Sequence, residues 1–389
     1  MKKLYILLIA LFLVNRATAQ WVPQNSGTTK NLNSVYFTDA NTGYAVGDNG
    51  IILKTINSGT IWTNQTSGTQ FNLNSVFGID PNTTYIVGDS GIILKNGTIQ
   101  NSGTSERLSS VYFPDPDTGY AVGWSGIIIK TTDGGSNWTN QHLNATDLTS
   151  VFFINANVGY VVGCFNSGFD CFARIFKTID GGSNWTDQIS GIINTLQSVY
   201  FTNADTGYAL GGVILLKTTN GGTNWTSQTS GTSFYLYSVY FTDSETGYAV
   251  GEGGIVLKTT NGGNLWTSQT SGTGNFLYSV YFTDADTGYI VGESGKILKT
   301  TNGGVVGLNE ISDNPSHLTI YPNPASTRIN IETTSKSNLS ILNLSGSELL
   351  QQTITEPTTT IDISTMPAGV YFVKVIEEGR VLVGKIIKE

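Results

Sequence analysis

Residues 238–273 read SVYFTDSETGYAVGEGGIVLKTTNGGNLWTSQTSGT, four short runs of alternating apolar and polar residues separated by Gly, Asn and Asp turns. The opening Ser-Val-aromatic triplet recurs at Ser34, Ser75, Ser110, Ser150, Ser198, Ser238 and Ser279, at intervals of 41, 35, 40, 48, 40 and 41 residues. Four strands (A to D in chain order) in about 40 residues, repeated seven times, predict an all-β fold, a seven-bladed β-propeller. A sandwich has less reason to repeat its sequence at a fixed period, and a β-helix uses far shorter repeats.

The ends of the array carry the same message. The seventh repeat stops at Asn302-Gly303-Gly304, without the Trp strand that follows this turn elsewhere. Residues 21–28, WVPQNSGT, match residues 62–69, WTNQTSGT, in register. The strand opening with Trp21 is therefore expected to complete the last blade, which removes two unpaired sheet edges. The second repeat runs from Lys95 straight into NGTI, residues 96–99, without a Trp. A shorter or less regular outer strand is expected there.

Residues 1–19 have the character of a signal peptide: Lys2 and Lys3, an apolar run from Leu4 to Val14, then Ala17-Thr18-Ala19. The run is too short to span a bilayer, and no later one approaches that length. Residues 20–304 are expected to form the propeller, 305–317 a polar linker and 318–389 a second β-domain. A net charge of −8 with 20 Lys and Arg argues against nucleic-acid binding, which needs a basic stripe. Two histidines and two cysteines leave no metal motif, nothing calls for a cofactor, and a monomer is expected. In an oxidising compartment Cys164 and Cys171 could close a short hairpin as a disulfide; two free thiols are the alternative.

Before each Trp stands a second signature: KTTDGGSNW (130–138), KTIDGGSNW (177–185), KTTNGGTNW (217–225), KTTNGGNLW (258–266) and the degenerate KTINSGTIW (54–62). It resembles the Asp-box hairpin of sialidase-like and sortilin-like propellers. Asp133, Asp180, Asn220 and Asn261 can accept main-chain N–H bonds within the turn, its glycines supply φ > 0, and Trp138, Trp185, Trp225 and Trp266 bury against the blade. Asn in place of Asp in several copies favours a structural role over cation or sugar binding.

The whole repeat is similar to the photosystem II assembly-factor family of propellers, over residues 21–304. That resemblance implies a fold and carries no photosynthetic role. In the tail, Tyr321-Pro322-Asn323-Pro324, Met366-Pro367-Ala368-Gly369-Val370-Tyr371 and the closing Lys385-Ile386-Ile387-Lys388 resemble the type A C-terminal sorting domain of the type IX secretion system. This implies export across both membranes, the secretion machinery as partner, and a product released or attached to the outer surface.

A sialidase needs three arginines for its carboxylated substrate, and the propeller holds Arg107 and Arg174. Serine hydrolysis would have to use His142 alone, a residue expected just after a D strand. The B–C turns carry Asp48, Asp89, Trp124, Glu252 and Glu293, and are expected on one face with the D–A segments, which bring Phe71, Phe234, Tyr235, Tyr237 and Phe276. Such a rim points to a non-enzymatic surface propeller that binds a protein or glycan. The alternative is an extracellular polysaccharide-degrading glycosidase or lyase working through two of these carboxylates.

Overall fold

The computed structural model describes residues 20–167, 170–304, 318–333, 336–343, 348–377 and 380–389. The signal-peptide and linker assignments, 1–19 and 305–317, lie outside these. The chain divides into two compact units, 1–307 and 308–389.

The first unit is a seven-bladed propeller, each blade a four-stranded antiparallel sheet. Blade 6 shows the pattern: strand A at Leu236–Phe241, B at Gly247–Gly251, C at Val256–Thr259 and D at Thr267–Gln269. In blade 7 the outer strand is Val22–Gln24, from the start of the chain. It pairs Val22 with Lys299, Pro23 with Leu298 and Gln24 with Ile297. Blade 1 pairs Thr63 with Lys54, Asn64 with Leu53 and Gln65 with Ile52, the same register. Trp21 is fully buried and meets Phe282 edge-on at 5.8 Å, as Trp62 meets Phe37 at 6.0 Å and Trp266 meets Phe241 at 5.9 Å.

Three layers on the A strands build the axis. Each Ser of the Ser-Val-aromatic triplet accepts, through Oγ, the N–H of the Val in the next blade. The series runs from Ser34 and Val76 round to Ser279 and Val35, at 3.2–3.3 Å throughout. One residue on, Tyr36, Phe77, Tyr112, Phe152, Tyr200, Tyr240 and Tyr281 form a closed circle of rings with neighbouring centroids 4.7–5.2 Å apart. Burial pushes the Tyr112 and Tyr240 hydroxyls up to about 12. The Tyr200, Tyr240 and Tyr281 hydroxyls donate to the main-chain carbonyls of Phe241, Phe282 and Phe37 at 2.9–3.0 Å. This aromatic circle lines the axis.

Blade 2 differs from expectation. Its D strand, Thr98–Gln100, is as long as those of blades 1, 5 and 6; the turn is what is shortened, to Asn96 (φ 51°) and Gly97 (φ 77°). The missing Trp is matched inside the blade. Where other A strands place Phe, blade 2 has Gly78, and where other B strands open with Gly under that Phe, it has Thr84.

The second unit packs a sheet of Thr319–Tyr321, Arg328–Glu332 and Thr358–Asp362 with a second of Ser337–Leu342, Glu348–Ile354, Gly369–Glu377 and Arg380–Lys388. The core of this immunoglobulin-like sandwich includes Ile329, Ile331, Leu339, Ile341, Val373, Val375 and Ile386. Its two terminal motifs are stitched together: Asn323 Nδ2 donates to Lys385 O at 2.7 Å, and Ile387 N–H donates to Asn323 Oδ1 at 2.9 Å.

Trp21→Ala in the mature chain is expected to cost about 3–5 kcal/mol, the usual loss for a large buried aromatic, read as an earlier guanidinium midpoint. An unchanged midpoint would contradict closure by this strand.

Candidate functional site

Main-chain hydrogen bonds sort the turns into two faces. The N–H groups of Asp48, Asp89, Trp124, Glu252 and Glu293 in the B–C turns donate to Asn31, Asn72, Arg107, Tyr235 and Phe276 at the start of strand A. On the opposite face the Asp-box N–H groups of Gly134, Gly181, Gly221, Gly262 and Gly303 donate to A–B turn carbonyls.

The Asp-boxes join blades. Thr131 Oγ1 donates to Asp133 Oδ1 at 2.8 Å and accepts the Gly135 N–H at 2.9 Å; Asn220 and Asn261 stand in the same relation to Thr218 and Thr259. The Asn137 side-chain amide and main-chain N–H hold the Asp133 carboxyl at about 2; Asn184, main chain first, does the same for Asp180. The first Gly carbonyl of each box accepts two donors from the preceding blade. Gly134 O takes the Tyr85 hydroxyl at 2.8 Å and Lys95 Nζ at 2.7 Å, and Gly181, Gly221, Gly262, Gly303 and Ser58 repeat this within 0.1 Å. Trp138, Trp185, Trp225 and Trp266 each stand edge-on to their blade's Phe.

The B–C face holds a bowl of about 500 Å³ at the channel mouth. Its floor is the A-strand residue just before each Ser: Asn33, Asn74, Ser109, Thr149, Gln197, Tyr237 and Tyr278. The layer below is Ser in all seven blades, whereas this one changes from blade to blade. Amides occupy the side of blades 1 and 2. Rings occupy blades 6 and 7, where Tyr237 and Tyr278 lie 5.6 Å apart. Blade 3 contributes Arg107, whose guanidinium lies 3.3 Å from Asp89 Oδ1, donates to Asn74 Oδ1 at 3.3 Å and covers the Trp124 ring at 5.4 Å. Blade 4 contributes Asp147, whose carboxyl burial pushes up while the Arg107 charge holds it down.

Of the residues singled out from the sequence, Asp48, Trp124 and Tyr237 line the bowl, and Trp124 is half exposed. Asp48 accepts the Asn31 and Asn33 side-chain amides at 3.0 and 3.1 Å; Asp89 accepts those of Asn72 and Asn74 at 3.1 and 3.0 Å. Glu293 turns back to accept the Phe276 N–H at 3.2 Å, and Glu252 raises the Tyr237 hydroxyl as a nearby negative charge, secondary to burial. Phe276 lies 6.4 Å from Tyr237; Tyr235, Phe234 and Phe71 are exposed and stand outside the lining. His142 is the last residue of its D strand, Thr139–His142, and its Nδ1 lies 3.2 Å from Ser125 O. In blade 4, strands B (Gly159–Ser167) and C (Asp170–Thr178) extend the hairpin on the bowl's face, and a disulfide joins Cys164 to Cys171 across Cα atoms 5.7 Å apart. Sequence reading missed Asn33, Asn74, Arg107, Asp147, Gln197 and Tyr278. The signal was available: the residue between a constant Leu and each Ser-Val varies in chemistry inside an otherwise regular repeat.

A family model described as photosynthesis system II assembly factor YCF48 matches residues 13–109 and 183–272, and one described as a secretion system C-terminal sorting domain matches 319–389. The chain joins a propeller similar to this assembly-factor family to a secretion sorting domain. Among solved structures, this assembly-factor-like propeller superposes on YCF48 bound to D1 peptide with a TM-score of 0.62 at 19% identity, covering 73% of this chain and 97% of that one. YCF48 from Cyanidioschyzon merolae gives 0.60 at 18%, covering 72% and 98%. PorZ, described as an essential bacterial surface component of the type-IX secretion system of Porphyromonas gingivalis, gives 0.55 at 13%, covering 92% of this chain and 59% of that one. At these identities the likeness is one of fold. No curated protein matches the sequence. The sorting tail implies export, and among the described residues no helix is long and apolar enough to cross a membrane.

Asp133→Asn and Asp180→Asn are expected to fold as the parent does, because blades 5 and 6 already use Asn there. The carboxylates' pKa values in the fold lie below the ordinary 3.8, so their contribution is complete above about pH 4 and is lost as pH falls towards 2. The double variant should therefore lose less stability than the parent across that window in acid-unfolding curves.

Proposed function

We propose that this is an exported binding propeller, released or held at the cell surface, whose bowl takes a hydroxyl-rich ligand, a glycan segment. The observation that carries this reading is the pairing of side-chain amides (Gln197, and Asn33 through its Oδ1) with open rings (Trp124, Tyr237, Tyr278) around about 500 Å³. Sugar hydroxyls bond to amides, the apolar faces of sugar rings stack on aromatics, and the volume falls within the range of ordinary ligand pockets. A peptide is the second reading. It is favoured by the opposite charges of Arg107 and Asp147 in one bowl and by the similar propeller that is described as bound to a peptide.

A glycan array and a panel of extended peptides, each probed with the mature protein, separate the two. Trp124→Ala and Tyr278→Ala are expected to weaken the captured ligand about tenfold or more, the effect of losing about 1.4 kcal/mol of contact each. Binding unchanged in both would remove the bowl from consideration. Turnover of a polysaccharide that disappears in Asp147→Asn would instead support a hydrolase or lyase.

The tail is read as the export signal, with the secretion machinery as its partner. Removing residues 319–389 should leave a folded propeller in the periplasm and none in the medium, by immunoblot of fractions. Undiminished release would contradict that role.

A further inference from the structure

Between blades 1 and 2 the joint found at the other six is open. Elsewhere the Tyr of strand B and the Lys of strand C converge on the carbonyl of the next blade's Asp-box turn. Blade 2 has no such turn, because Asn96 and Gly97 close its C–D hairpin directly. Tyr44 and Lys54 are the corresponding donors of blade 1. The Tyr44 hydroxyl finds only Pro81 O, at 3.4 Å. Lys54 Nζ has fallen back over the Tyr44 ring to 5.1 Å, against 5.4–5.7 Å at the latched joints. In front of them lies a cavity of about 290 Å³, whose walls include Gln65, Pro81, Asn82 and Asn96.

We propose that this cavity is a second binding site, separate from the bowl, which takes a polypeptide turn from a partner. The class of guest follows from the six occupied joints. There the same two donors hold the main-chain carbonyl of a tight Asx-Gly turn, at 2.6–2.8 Å from each donor. A turn supplied from outside would place its carbonyl between Lys54 Nζ and the Tyr44 hydroxyl. The amides of Gln65, Asn82 and Asn96 would meet its remaining polar groups, and an aromatic residue following the turn would fill the space left by the missing Trp. Lys54 gains an acceptor, as its counterparts have at the six latched joints.

The probe is a peptide with the sequence of residues 217–225, KTTNGGTNW, flanked by an added cysteine at each end and cyclised through their disulfide, titrated into the mature protein by calorimetry. Saturable binding below about 1 mM is expected, about tenfold weaker in Lys54→Met and weaker in Tyr44→Phe, which keeps the ring and hence the packing. Trp124→Ala should bind the peptide as the parent does, so that failure of this site and failure of the bowl are read separately. Replacing Asn96-Gly97 with the full turn of blade 3, TTDGGSNW, should refill the joint, raise the Tm and abolish peptide binding. Absence of saturation, full binding in Lys54→Met and Tyr44→Phe, or full binding in the refilled variant would each overturn the proposal. So would acetate displacing the peptide at equal concentration, which would mark a simple anion site.

Discussion

Each blade passes one hydrogen bond to the next through a serine, and the series ends where it began, between Ser279 Oγ and the Val35 N–H. That circle fixes the distance between neighbouring A strands, and everything on the axis is spaced by it. On one side it sets seven aromatic rings at about 5 Å, close enough for each to pack on the next. On the other it sets the seven variable residues that make the bowl. A serine is small enough to sit in the crowded layer, and its hydroxyl can accept from a main-chain N–H that has no partner in its own sheet.

Around the rim a different economy operates. Tyr, Lys and the Asp-box carbonyl do for the outer part of the joint what the serines do for the inner part. The lysine tails lie along tyrosine faces, so the ammonium groups reach the turn while the stems stay covered. This explains why Asp and Asn serve equally well in the box: either side chain needs only an oxygen for the Thr hydroxyl and one main-chain N–H. The part that carries the joint is the Gly carbonyl, which every residue type possesses. The conformation that presents it depends on the φ > 0 pair, such as Gly134 and Gly135 at 62° and 82°.

The ring was legible because its parts repeat. Trp21 could be matched to Trp62 on eight residues, and the structure pairs Val22 with Lys299 as Thr63 pairs with Lys54. The sorting domain was legible through motifs at both of its ends, which the fold brings into contact at Asn323 and Ile387. The bowl was less legible for the opposite reason. A charged residue in a turn draws notice, so Asp48, Asp89, Glu252 and Glu293 stood out, yet Asp48, Asp89 and Glu293 are engaged by neighbouring amides. The residues that make the bowl particular are Asn33, Gln197 and Tyr278, ordinary in a strand and distinguished only by differing from their counterparts. The shortened blade 2 was visible, but its meaning was not. Nothing local says that dropping a turn strands Lys54, because the lysine's partner belongs to the next repeat.

The closing strand also sets an order of events. Val22 and Lys299 are neighbours in the sheet although nearly the whole propeller separates them in the chain. A polypeptide that crosses a membrane with its N-terminus leading delivers the outer strand of blade 7 first and its seat last. Until residue 301 has followed, Trp21 has no Phe282 to pack on and the circle of serines stays broken. Closure is thus a late event tied to the passage of almost the entire domain.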